Sequence, residues 1–343
     1  MATKCEEHSK SEEGKSQRRL DSSNDAAADD ATERFYHPEL DGLRFLAFGG
    51  VFLHHAFLLP TNESARGLVL LVTGIVRSGE TGVDLFLVLS AYLITELLLR
   101  EKTRCGRVDV LSFYIRRGLR IWPLYFSFVA FAISFEATLI GNQGLPWPYS
   151  MAFLCFAGNW AAVVTGTLPK STALILWSVS IEEQFYLVWP MLVRIWNRTG
   201  LLWLAIGLWV LGVTVRIFLV SQGATYVQIN FNTLARLDAI AAGAMVACLL
   251  NGGTLQLSSL VRRSGFAVAV VGIVTTTICT RVLPASPWAA VFSYAFYAVC
   301  FGVILCMTLQ PIQQTRGILA SRLLVFLGRI SYGLYAGPAR TLG

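Results

Sequence analysis

The chain has 343 residues, of which 55% are hydrophobic and only 14% charged, and its formal charge is +7. Soluble domains carry about 25% charged residues, so an ordinary soluble protein is excluded and an all-α, polytopic helical bundle in a lipid bilayer is expected. The Lys and Arg flank apolar runs, a membrane-orienting pattern, so they do not imply a nucleic-acid partner.

Residues 1–34 are rich in Glu, Asp, Ser and Lys and poor in large apolar side chains. Such a stretch cannot bury enough surface to offset its ordering entropy, and it has no apolar core of a signal peptide. It is expected to be a disordered cytoplasmic tail, with residues 35–343 forming the membrane domain.

The first apolar run, 40–59, reads LDGLRFLAFGGVFLHHAFLL and is long enough to cross a bilayer. It carries Arg44 and His55. An eleven-residue offset in a helix returns to within about 20° of the same face after a climb of about 16 Å, so the two share a stripe, while His54 lies on another face. An arginine in a span costs on the order of 3 kcal/mol by insertion scales and normally faces protein or a polar cavity. The simpler alternative is an arginine that snorkels to the interface and a histidine bonded to a neighbouring helix. Asp41, near the helix start, is read either as part of this cluster or as a cap.

Further runs follow at 81–99, 119–140, 172–193, 201–220, 232–250, 264–283 and 288–309, and a ninth begins near 323. The connector 100–120 holds Arg100, Lys102, Arg104, Arg107, Arg116, Arg117 and Arg120, which predicts a cytoplasmic loop and a cytoplasmic N-terminus. The apolar stretch 150–168 is read as re-entrant or packed outside the span set, because a full crossing would invert every later basic loop. The tryptophans Trp147, Trp160, Trp177, Trp189, Trp196 and Trp203 are read mostly as interfacial. The seven cysteines are scattered without a C-x-x-C pair, so neither a disulfide framework nor a metal site is expected.

Several polar groups within the runs suggest chemistry. Arg117 and Arg120 share a face, with Arg116 beside them, and guanidinium forks suit phosphate oxygens; plain flanking charge is the alternative. Glu182 shares a face with Ser178 and Tyr186 and is the carboxylate expected to balance Arg44, whereas Glu183 is expected to be solvated. Asp84 is expected to pair with the Arg44 cluster, and Arg236 with Asp238.

Four segments, LDGLR leading to His55, GVDLFLVLSAYLITELL at 82–98, FYIRRGLRIWPLY at 113–125 and WSVSIEEQFYLVWP at 177–190, stand in this order with two weaker ones, RLDAIAAG and LGRISYGLY. Together they resemble acyltransferase family 3, the integral-membrane O-acyltransferases that modify surface polysaccharides, lipopolysaccharide and peptidoglycan. The resemblance implies transfer of an acyl group, acetyl above all, from acyl-CoA to a carbohydrate hydroxyl. It implies acetyl-CoA as donor, held by the R-x-x-R of Arg117 and Arg120 with Arg116. With it, His55 becomes the expected general base or acyl carrier, Arg44 the electrostatic holder and Glu182 a catalytic partner. Two departures stand out. The family's S-G-F is Ser90-Ala91-Tyr92 here, and after SYGLY the chain reads AGPARTLG, where a histidine and a further, tenth span would follow. A truncated ninth span is therefore expected. A transporter, or a catalytically dead protein with a buried Arg/His/Glu path, is the alternative.

Overall fold

Every regular element among the described residues of the computed structural model is helical. The described residues are 37–56, 67–135, 145–251, 257–282, 287–309 and 319–333. The expected tail and the final AGPARTLG lie outside them. The segment up to Pro38 is one unit and the chain from Glu39 onward another.

The apolar runs become helices in the expected order: α1 Pro38–Ala56, α2 Leu68–Ser78, α3 Gly82–Cys105, α4 Val110–Ser134, α5 Trp147–Leu154, α6 Gly158–Thr165, α7 Trp177–Ile195, α8 Arg198–Ser221, α9 Tyr226–Asn230, α10 Leu237–Leu250, α11 Ser259–Thr277, α12 Pro287–Thr308 and α13 Arg322–Gly333. Among the described residues, four stretches are both long and apolar enough to cross a bilayer: Leu71–Cys105, Arg198–Ser221, Ser259–Thr280 and Val291–Thr308. Helices α1, α4 and α7 have 19, 25 and 19 residues but are interrupted by charge. These three supply the charged centre described below, which is why apolarity alone underrates them.

The described helices are not all of one spanning length. Helix α10 has 14 residues, about 21 Å of rise, against a hydrocarbon core of about 30 Å. It is nevertheless the middle of the bundle, packed against α3, α8 and α12. Its sequence LDAIAAGAMVACLL explains this, because small side chains let helix backbones approach closely. Gly243 lies directly against the carbonyl of Val88 on α3, where a Cβ has no room.

The stretch 150–168 does not cross. It forms α5 and α6, eight residues each, which reach only about 12 Å apiece. Phe156 between them takes a positive φ of 52°, which turns the chain back. Asn159, fully buried, then ties α6 to the α9 connection by donating to Phe231 O and Thr233 Oγ1.

At the basic end, Asp109 caps α4 by accepting from the Ser112 amide, and the Ser112 hydroxyl, which also donates to it, together with that amide holds its carboxyl below the usual range. Lys102 reaches from α3 to the last turn of α7, where it donates to Val193 O, Arg194 O and Trp196 O. These are carbonyls that a helix end leaves without intrahelical partners. Trp189 departs from the interfacial reading. It is 2% exposed and donates to Thr95 Oγ1 at 2.8 Å, because a buried indole needs an acceptor.

Candidate active site

Four helices converge on one charged centre. Helix α1 supplies Asp41 and Arg44, α3 supplies Ser90, α4 supplies Arg117, Arg120 and Trp122, and α7 supplies Glu182, Glu183 and Tyr186. Arg44 Nη1 lies 3.4 Å from Asp41 Oδ1 with its side chain 16% exposed. It is also within electrostatic range of Glu182, Tyr186 and Arg117. The carboxylate balancing Arg44 directly is therefore Asp41, one turn away on its own helix. Glu182, the partner expected from sequence, acts on Arg44 only through its charge and makes no direct ion pair with it.

Glu182 and Tyr186 are one helical turn apart on α7, and Tyr186 donates its hydroxyl to Glu182 Oε2 at 2.8 Å. Ser90 stands beside both groups. Arg117 covers the Tyr186 ring at 5.4 Å and the Phe113 ring at 5.8 Å, a cation–π arrangement that fixes the guanidinium without neutralising it. Arg120 has Arg117, Arg44, Tyr186 and Asp41 as its electrostatic neighbours. Three arginines in mutual range repel one another and favour an anion placed between them.

Arg116 sits apart. Its side chain is 64% exposed and 3.9 Å from Glu101, at the rim rather than in the centre. Glu183 also departs from expectation. Instead of being solvated, its Oε2 accepts from Trp122 Nε1 at 3.1 Å, and its Oε1 is buried with no hydrogen-bond partner among the described residues.

The fold brings Arg44, Arg117, Arg120 and Glu182 together. Eleven residues further along the unbroken α1, His55 is helical in backbone, and its side chain lies outside the described residues. His54 lines a different, polar cleft with Arg77, Glu80, Tyr226 and Thr280. Among the described residues, no three His, Cys, Asp or Glu side chains come together to hold a metal.

Two ion pairs differ from those expected. Asp84 does not join the Arg44 cluster; it pairs with Arg236 at 2.5 Å. Asp238 pairs not with Arg236 but with Arg216, at 2.7 Å. Arg236 also donates to Asn230 and lies 4.2 Å from the Tyr294 ring centroid. Sequence reasoning missed Arg216 because a lone arginine near the end of an apolar run reads as flanking charge. Its complete burial is the only signal of its role. Tyr186 was visible only as a face neighbour of Glu182, and Ser90 only as the retained first position of a motif whose next two residues depart.

The fold and this centre define a multi-pass membrane helical bundle with arginines and carboxylates gathered between α1, α3, α4 and α7. Over residues 37–336 the chain matches the family model described as an acyltransferase domain, and it belongs to that family. It is similar to the O-acetyltransferase OatA of Staphylococcus aureus, with 27% identity over 320 residues, covering 88% of this chain and 49% of that protein. It is likewise similar to the peptidoglycan O-acetyltransferase OatA of Listeria monocytogenes, 28% identical over 325 residues with the same coverage of 88% and 49%. The chain spans about half the length of these curated relatives. No solved structure matches it.

Proposed function

We propose that this protein is a membrane O-acyltransferase that moves an acetyl group from acetyl-CoA to a hydroxyl of a cell-surface carbohydrate. The observation that carries the proposal is the convergence of Arg44, Arg117 and Arg120 beside the Glu182–Tyr186 pair. Acyl transfer needs a base for the acceptor hydroxyl and fixed positive charge for the oxyanion and the anionic donor. Coenzyme A brings several phosphate charges, and a guanidinium cluster is the chemistry that binds them. Family membership supports the reaction class, and the names of the relatives support acetyl as the acyl group and a surface glycan as the acceptor.

In this reading Arg117 and Arg120 bind the donor phosphates, with Arg116 at the entrance. His55 is the general base or acyl carrier, Arg44 supplies the site's positive potential, and Glu182 orients the reacting groups. In the same reading the basic connector 100–120 faces the cytoplasm, where acetyl-CoA is found.

The test is transfer of labelled acetyl from acetyl-CoA to surface glycan by membranes containing the chain, with His55→Ala beside it. Transfer that vanishes in the variant supports the reading. A folded chain that transfers nothing, or that binds no acetyl-CoA, overturns it in favour of a transport or inactive role.

A further inference from the structure

At the opposite end of the bundle from the basic connector lies a polar cleft of about 360 Å³ lined by His54, Arg77, Glu80, Tyr226 and Thr280. Each residue stands at or beside the end of an element. His54 is in the last turn of α1, Arg77 in the last turn of α2, Glu80 in the 3-10 turn before α3, Tyr226 at the start of α9 and Thr280 in the π turn after α11. Gly50 of α1 lies against the backbone of Gly79, an approach that leaves no room for a Cβ on Gly79, and this brings the end of α1 beside Glu80. Tyr226 donates its hydroxyl to Glu80 Oε1, so the α9 connection is fastened across the cleft to the α2–α3 junction. Arg116, beside Glu101 near the far end of α3, is more than twenty helical residues below, a separation of about 30 Å.

We propose that this cleft is a carbohydrate-binding subsite, the place where the acceptor glycan docks; this rests on the acyltransferase reading above. Its volume falls at the lower end of the range that holds small ligands. Its described lining carries one guanidinium, one carboxylate, one imidazole, one phenol and one hydroxyl. This nearly balanced set of donors and acceptors suits the paired donor and acceptor character of sugar hydroxyls. It does not suit a phosphate, which the three-arginine centre serves instead. Tyr226 is 45% exposed, and an aromatic ring is the side chain against which the apolar face of a pyranose packs.

The experiment measures binding of a soluble N-acetylglucosamine oligomer to the full chain in nanodiscs, for the wild type, Glu80→Gln, Tyr226→Ala and Arg117→Gln, with size exclusion and thermal unfolding as folding checks. The expected result is that both cleft variants weaken binding about tenfold, the scale of one or two lost polar contacts, while Arg117→Gln binds as the wild type does. Unchanged binding in both folded cleft variants, or no binding by the wild type at millimolar oligomer, overturns the subsite. If Tyr226→Ala does not fold, Tyr226→Phe with Arg77→Gln takes its place. Acetyl transfer on the same preparations separates the two ideas. Cleft-dependent binding without any transfer sinks the acyltransferase reading alone. Transfer with an unchanged acceptor KM in the cleft variants sinks the subsite alone.

Discussion

Arg236 on the approach to α10 donates to Asp84 in the first turn of α3 at 2.5 Å, across 152 residues of chain, with only 4% and 5% of the two side chains exposed. This contact and the neighbouring Arg216–Asp238 pair hold three helices at a fixed register, away from the Arg44 centre. Neither pair follows from proximity in sequence.

Arg236→Gln is expected to lower stability by about 3–5 kcal/mol, because it leaves the Asp84 carboxylate buried without its cation. Asp84→Asn should do the same for Arg236. Combining the two should cost less than their sum, since neither charge is then left alone. Thermal unfolding of detergent-solubilised protein reads all three. Additive losses would show that the pair is not coupled.

Under the proposed donor role, Arg117→Gln and Arg120→Gln are expected to raise the KM for acetyl-CoA about tenfold or more each, because each removes a guanidinium proposed to bind donor phosphate. Arg116→Gln, at the exposed rim beside Glu101, should change it by less than either. Steady-state kinetics with varied donor settles the order, and an equal effect at all three positions would argue for non-specific attraction.

Glu182→Gln, which removes the carboxylate proposed to orient the reacting groups for proton transfer, is expected to reduce kcat by about 10²-fold. Tyr186→Phe removes the hydroxyl that donates to Glu182 while keeping the ring beneath Arg117, so it should spare donor KM and lower kcat. A Tyr186→Phe protein with normal kcat would reduce the hydroxyl to a packing role.

Gly243→Val is expected to destabilise the bundle by about 1–3 kcal/mol, the usual cost of overpacking. Its new side chain meets the Val88 backbone, which cannot swing aside as a side chain would. Gly207, on the same α8–α10 side of the sequence but with open space around it, should tolerate alanine. Unfolding temperatures of the two variants give the comparison.

Helix order was legible because apolar runs of spanning length leave few alternatives to helix in a bilayer. The R-x-x-R face and the Glu182–Tyr186 pair were legible because three- and four-residue offsets place side chains together within one helix. Helix α2 was missed because its eleven residues fall below any spanning length. The true partner of Asp84 was missed because several arginines and carboxylates of similar depth offered equally plausible pairs.

The sequence by itself determined the all-helical membrane character, the element order and the local groupings, since hydropathy and helical period act over neighbouring residues. Only the tertiary structure decided that Asp41 holds Arg44, that Glu183 is covered by Trp122, that Arg116 stays at the rim, and that His54 opens onto a separate polar cleft. Those outcomes depend on which helix faces which. That choice is made by small residues permitting close approach, as along α10, and by buried charges finding the one partner that packing leaves within reach.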